Sequence, residues 1–405
     1  MRRVSLLTLA CAALAACAPT PRGVVFHAEG RPSTLGAWNV LQLTDGRLRP
    51  NAQVEPYALN TALFTDYAHK YRTIWMPPGT RAKFDAQRSF DFPVGTIITK
   101  TFYYPKAQGG DNATVALQSE SVDETRDGID LSRMRLIETR VLVRRKEGWI
   151  AMPYVWNAQQ TEAELARAGT VIALALRRES GVSERFSYLV PDENQCASCH
   201  ADDMRTRDLR PIGPKARHLD RDDPWHPGER QLVRMHRMGR LDRLPDAAAV
   251  PNARFDDASA SIDARARAYL DINCGHCHSA EGPADTSGLW LDAGVVDAVK
   301  LGLCKPPVAA GQGTGDRFFD IVPGRPQESI LVYRMDSLDP GAMMPEIGRS
   351  LIHREGVDLI EDWIVGWRGQ SCLDQNTPVA VNARALRQES KEIERPDHRG
   401  AVAAR

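Results

Sequence analysis

The sequence predicts a multidomain chain in which a β-rich, sandwich or jelly-roll-like N-terminal domain over residues 23–190 precedes mainly α segments. Three observations lead there. Alternating and β-branched runs fill the first half, and amphipathic helical patterns dominate the last third. A length of 405 residues exceeds one domain's worth, and 42% hydrophobic content supplies real cores. Lys+Arg and Asp+Glu balance at 52 each, so no polyanionic partner such as nucleic acid is implied.

Within the β-rich part, Thr96 to Tyr104 (T-I-I-T-K-T-F-Y-Y) lies between Pro93 and Pro105 and reads as a strand. Met134 to Val143 alternates, with Ile137, Thr139, Val141 and Val143 on one face and Glu138 and Arg140 on the other. A turn at Lys146-Glu147-Gly148 leads into W-I-A-M-P-Y-V-W, which makes a hairpin. Thr170 to Leu176 and Phe186 to Val190 are further strands. One short helix is expected from Thr161, with Glu164 placed for a capping box and Gly169 as its stop. The densest polar and aromatic stretch, Tyr57 to Arg72, contains Asp66, His69, Lys70 and Arg72. Their spacing forms no catalytic set, so the stretch reads as aromatics packing a core edge beneath solvated charges; a substrate or partner surface is the alternative.

Chemistry enters with two copies of C-x-x-C-H, at Cys196 to His200 (C-A-S-C-H) and Cys274 to His278 (C-G-H-C-H). Two thiols three positions apart can add to both vinyl groups of one haem, and the following imidazole then reaches the iron. The expectation is two covalent haem c groups, held by Cys196 and Cys199 with His200 on iron, and by Cys274 and Cys277 with His278 on iron. The spacer residue His276 is expected at the surface. A zinc reading is weaker, because a tetrahedral site needs further ligands at matching spacing.

The first residues read as an export signal of lipoprotein type, residues 1–16. Arg2 and Arg3 precede an apolar run, Val4 to Ala16, too short for a membrane span. L-A-A-C at Leu14 to Cys17 resembles a bacterial lipobox, which makes Cys17 the lipidated first residue of the mature chain. That resemblance implies the periplasmic face of the outer membrane, with an ordinary cleaved signal and a soluble periplasmic protein as the alternative. Of the eight cysteines, Cys11 leaves with the signal, Cys17 takes lipid and four take haem. Cys304 and Cys372 remain, a pair expected to form a disulfide in an oxidising compartment.

The first haem segment spans residues 191–255. Its distal iron ligand is open among Met204, Met235, Met238, His218, His226 and His236, or none, with Met235 and Met238 on a helix expected over Glu229 to Leu241. The second segment, residues 256–373, is more legible. One helix places Ile262, Ala266, Tyr269 and Leu270 along a stripe that ends at the motif, and another places Val357, Ile360, Trp363, Ile364 and Trp367 on one face. Two such helices crossing at a C-x-x-C-H site resemble a class I cytochrome c domain. P-G-A-M-M-P-E-I-G-R-S between them resembles that family's distal methionine loop, with Met344 preferred over Met343 as the iron ligand because Pro345 holds its predecessor extended. Thioether ligation raises a haem's potential, so the second haem is expected to be the more oxidising if the first has nitrogen or oxygen in that place. Residues 374–405 are polar, aperiodic and expected to be disordered.

From Tyr57 to Cys372 the chain resembles a largely uncharacterised family of bacterial di-haem c-type cytochromes that carry a β-rich domain ahead of two haem segments. The stretches behind the resemblance are L-N-T-A-L-F-T-D-Y-A-H-K-Y-R, C-A-S-C-H with P-I-G-P-K-A-R-H-L, and R-A-R-A-Y-L-D-I-N-C-G-H-C-H through M-M-P-E-I-G-R-S-L-I-H. It implies a mainly α, cytochrome c-like character for the haem segments and single-electron transfer between redox partner proteins. A haem redox enzyme, with an open first iron or a pocket in the β domain, is the alternative. A third reading makes the β domain a recognition or assembly module that the haems tether electronically.

Overall fold

Six strands pair antiparallel into the central sheet of the computed structural model. They are β3 (Glu55–Tyr57), β4 (His69–Trp75), β5 (Ile97–Pro105), β8 (Met134–Arg145), β9 (Gly148–Trp156) and β10 (Ala163–Leu165), in the spatial order β10-β9-β8-β5-β4-β3. The structure describes residues 23–119, 125–201, 206–246, 250–308, 311–367 and 371–372. The expected leader, Cys17, Met204 and the tail over 374–405 lie outside these.

A small sheet covers each face of the central one. On one side β1 (Leu41–Thr44), β2 (Arg47–Pro50) and β7 (Ile129–Asp130) form a three-stranded sheet, and Leu48 and Ile129 pack there with Ile97, Tyr103, Val143 and Met152. Trp38, fully buried in this core, donates its indole N–H to the Tyr154 hydroxyl at 2.8 Å. On the other side β6 (Thr114–Ala116), β11 (Thr170–Arg177) and β12 (Ser183–Val190) form the second small sheet. Leu174, Leu176 and Tyr188 pack there on Phe102, Tyr104 and Ile137. The N-terminal half is thus β-rich, built of several packed sheets. Apolar residues on both faces of β5 explain why it sits centrally and is buried along its whole length apart from Lys100.

Four local expectations are corrected. Thr161 does not start a helix: Asn157 accepts from the Thr161 N–H at 2.9 Å, turning the chain so that β10 pairs with β9, and Ala163 drops fully buried into the first core. Eight residues before Gly169 are too few to gain from helix formation what that edge pairing supplies. Ile137 joins the opposite face from Val141 and Val143, because the ladder shifts register between Phe102 and Tyr103. The helix expected over Glu229 to Leu241 is shorter, α3 (Gln231–Arg237), with Leu232 and Met235 buried and Met238 exposed beyond its end. Last, the charges of the Tyr57 to Arg72 stretch are not solvated: Asp66, His69, Lys70 and Arg72 are all buried, the last three within β4.

The helical elements pack against the same side as the second small sheet. Short α1 (Cys196–His200) follows β12 almost directly, and α2 (Ala216–Leu219) and α3 cover Ile74, Ile98, Leu142 and Trp149 of the central sheet. Helix α4 (Ile262–Asn273) begins at Ser261, whose hydroxyl accepts from the Ala264 N–H at 3.2 Å, and runs straight into Cys274. Its stripe buries Ala266, Tyr269 and Leu270, while Ile262 is 38% exposed, one turn short of the packed region. After α5 (Ile330–Met335), α6 (Arg354–Val365) lays Val357, Ile360, Trp363 and Ile364 on α4. The two helices approach closely at Gly356, where a Cβ would sit 2.3 Å from the Tyr269 hydroxyl. Trp363 ties them by donating to Asp263 at 2.8 Å. The disulfide expected by elimination is present between Cys304 and Cys372. No helix among the described residues is long and apolar enough to cross a membrane.

Candidate functional site

Both C-x-x-C-H motifs open onto one cavity of about 690 Å3. Its walls come from the inner face of the central sheet, from α1, from the end of α4 and from the loop carrying Met344. The first motif is placed by the turn after β12. Asp192 and Gln195 exchange hydrogen bonds, Gln195 N–H to the Asp192 carboxylate at 2.8 Å and Asp192 N–H to the Gln195 side chain at 3.0 Å, which starts the single helical turn. The second motif is placed by α4, with the N–H groups of Cys277 and His278 both bonding back to the Cys274 carbonyl. Its glycine is required: a Cβ on Gly275 would lie 2.8 Å from the Asp271 carbonyl and 2.9 Å from the Asp292 backbone.

The two histidines are held alike. His200 uses Nδ1 on the Arg210 carbonyl at 2.6 Å, and His278 uses Nδ1 toward Ser287 Oγ at 3.4 Å; its ring also hydrogen-bonds the Leu289 backbone. An imidazole whose Nδ1 is occupied by a main-chain or hydroxyl group presents Nε2 for a metal. Burial is the main cause pushing both imidazoles down to about 4, helped at His200 by the Lys100 charge and at His278 by the Arg334 charge. Each is therefore neutral near pH 7, the form that ligates iron.

The motifs also touch one another. Sulfurs of Cys199 and Cys277 and a ring nitrogen of His276 all lie within 4.8 Å, and Cys277 Sγ is 3.5 Å from the Ser198 carbonyl. The hydrogen bond from Cys277 holds the Cys199 thiol well below its ordinary value and raises Cys277 in turn. Cys196 and Cys274 are pushed up by burial, to about 11 and about 12. His276 is not the surface group expected of it: it is half-buried between the motifs, and its Nδ1 is buried without a partner.

Met344 lies on the cavity wall, whereas Met343 is buried away from it. The reason is the loop's bracing. Arg349, 6% exposed, donates to the main-chain carbonyls of Met344, Leu351, Arg334 and Ser337. Asp66, which stands just before β4, accepts the N–H groups of Ser350 and Leu351 at 2.6 and 2.7 Å. Phe64 stacks on His353 with ring centres 4.2 Å apart and planes 10° from parallel. Arg349, Asp66 and Phe64 have no role at the motifs that sequence alone reveals, although they stand in the stretches L-F-T-D-Y and G-R-S-L-I-H; only their meeting in space gives them one.

None of the described residues that sequence offers as a distal ligand in the first segment lines the cavity. His218 is fully buried beside Asn252 and Asp271, Met235 packs with Leu232, and His226, His236 and Met238 are exposed. Asp271 of α4 instead gathers the two segments together. It takes both Arg217 bonds at 2.7 and 2.8 Å and the Asn252 amide at 2.8 Å; against burial, the Arg217 hydrogen bonds and the His218, Arg217 and Lys215 charges hold its carboxyl well below the usual range.

No protein-family model matches this chain, and neither a curated protein nor a solved structure is similar to it. The functional reading therefore rests on the cavity and its lining. Residues present there fit a porphyrin: apolar walls from Leu59, Leu63, Ile98 and Ile272, two neutral imidazoles, a thioether, and a buried Arg72 Nη2 that lacks an acceptor.

Proposed function

We propose that the chain is a di-haem c-type cytochrome that transfers single electrons between redox partner proteins. One haem is held by Cys196, Cys199 and His200, the other by Cys274, Cys277 and His278 with Met344 as its distal ligand. The observation that carries this reading is the meeting of both motifs at a single cavity, with Cys199 and Cys277 within 4.8 Å of one another. When bound, each haem iron supplies a one-electron ferric/ferrous couple. The chain's own contribution is to fix the imidazole tautomers through Arg210 and Ser287 and to brace Met344 through Arg349. A zinc site would use Cys199, His276 and Cys277, one ligand short of a tetrahedron, and would leave Cys196, Cys274 and both motif histidines without a role. The mainly α part carrying the second motif is proposed to be cytochrome c-like, with α4 and α6 as its crossing helices.

The pyridine haemochrome assay of matured protein tests the assignment, with two c-type haems per chain expected; one or none refutes it. Export is proposed with Cys17 as a lipid anchor on the periplasmic face of the outer membrane, so Cys17→Ser protein is expected to leave the membrane fraction. A second reading, a redox enzyme, is favoured by one observation: none of His218, His226, His236, Met235 and Met238 lines the cavity that His200 shares. Carbon monoxide or cyanide distinguishes the two. Immediate binding at one haem supports the enzyme, and inertness at both supports the carrier.

A further inference from the structure

Three cations stand in a row on the inner face of the central sheet. Arg72 of β4 lies directly opposite Lys100 of β5, which lies directly opposite Arg140 of β8, and all three line the cavity. Like charges opposite one another across a ladder destabilise it, and burial makes an unanswered charge costlier still. Burial, with the Arg140, Arg72 and Lys70 charges beside it, pushes the Lys100 ammonium well below its ordinary value, so the row holds its full charge only with anions to meet it.

Glu138 answers one of the three. Fully buried, it takes Arg140 on both oxygens at 2.6 and 2.8 Å, with the Tyr188 hydroxyl donating to one of them at 2.8 Å. Arg72 is 6% exposed and spends Nη1 on the Lys70 carbonyl at 3.3 Å, while its buried Nη2 finds no acceptor. Lys100 holds its ammonium 5.1 Å from the centre of the Phe102 ring and, among the described residues, has no hydrogen-bond or ion-pair partner. The row lies beside the first motif: Lys100 acts electrostatically on His200, and Arg140 on Cys196.

We infer that the row of Arg72, Lys100 and Arg140 binds the two propionate carboxylates of the haem attached at Cys196 and Cys199. This rests on the di-haem reading and assigns the inner face of the β domain its part in it. Arg72 and Lys100 lack anions, a haem brings two, and a guanidinium with a free N–H edge suits a carboxylate. The β domain is then a wall of the first cofactor's site rather than an appended module.

The test uses full-length, haem-loaded protein carrying Lys100→Gln or Arg72→Gln. With two haems per chain retained, resonance Raman is expected to show a shift in the propionate-bending band of one haem. Potentiometry is expected to lower the midpoint potential of that same haem and leave the other in place, because removing positive charge favours the ferric state. Arg72→Lys restores the charge and is expected to return the potential most of the way. Should Arg72→Gln fail to fold, Lys100→Gln, at a position that is only half-buried, decides alone. Two haems with unmoved bands and potentials would overturn the propionate assignment while sparing the di-haem reading; a wild-type sample without haem removes both. Inorganic phosphate added to the wild type is expected to leave its spectrum unchanged. A saturable response there would overturn the inference too, by showing the row open to an outside anion.

Discussion

Replacing Asp66 separates two contributions that the fold places on one carboxylate. Asp66 accepts the N–H groups of Ser350 and Leu351 at 2.6 and 2.7 Å, and its backbone is left-handed at φ 46°. Burial raises its carboxyl from 3.8 to about 6, against the lowering effect of those two N–H groups and of the Lys70 and Arg349 charges. Asp66→Asn keeps an oxygen for both donors and tolerates the left-handed backbone, while Asp66→Ala strands both N–H groups at about 1–3 kcal/mol each and adds about 1 kcal/mol of strain. The Ala variant is therefore expected to be about 3–7 kcal/mol less stable than the Asn variant at every pH. The charge shows as a pH dependence. A carboxyl whose folded value lies above its unfolded one contributes stability that is present below about 4 and is lost as pH rises through about 6. A shift from 3.8 to about 6 corresponds to at most about 3 kcal/mol. The Asp66→Asn protein should thus match wild type near pH 4 and exceed it by up to that amount near pH 8. Urea denaturation of haem-loaded protein at several pH values measures both. An Ala variant within about 1 kcal/mol of the Asn variant, or a gap between Asn and wild type that ignores pH, would refute the reasoning.

Three further outcomes are expected. On the di-haem proposal, Met344→Leu should lower one of the two haem potentials, whereas Met343→Leu should leave both in place and cost less than about 1.5 kcal/mol of stability, since Leu and Met fill similar volumes; equal effects from the two variants would remove Met344 from its proposed role as ligand. Asp271→Ala should destabilise by about 3–5 kcal/mol, because it leaves Arg217, hydrogen-bonded at 2.7 and 2.8 Å, without its buried partner; an unchanged denaturation midpoint would count against that. Cys372→Ser opens a loop of 68 residues and should cost about 3–5 kcal/mol on the loop-entropy account while haem content stays at the wild-type level, which calorimetry and the haemochrome assay read side by side.

The strands from Ile97, Met134, Gly148, Thr170 and Ser183 were legible because their residue types and alternation report burial locally. β4 was not, since H-K-Y-R reads as a solvated stretch until its charges are seen turned inward. The reversal at Ile137 could not be read either, because a bulge is set by how two strands pair rather than by either alone. Cysteine elimination found the disulfide, and the stripes of α4 and α6 foretold their packing. The neighbours of the motifs were hidden for a different reason. Asp66 and Ser350 lie 284 residues apart, and the opposition of Arg72, Lys100 and Arg140 exists only once three strands have found their register.

That same 284-residue separation bears on how the molecule is assembled. A polypeptide emerging N-terminus first exposes Asp66 long before its main-chain donors at Ser350 and Leu351 have left the ribosome. The earliest part to collapse must wait, incompletely fastened, for one of the last. Contacts of such long range slow folding, and the delay leaves an interval in which the thiols of both pentapeptides remain reachable for covalent modification before the finished walls close around them.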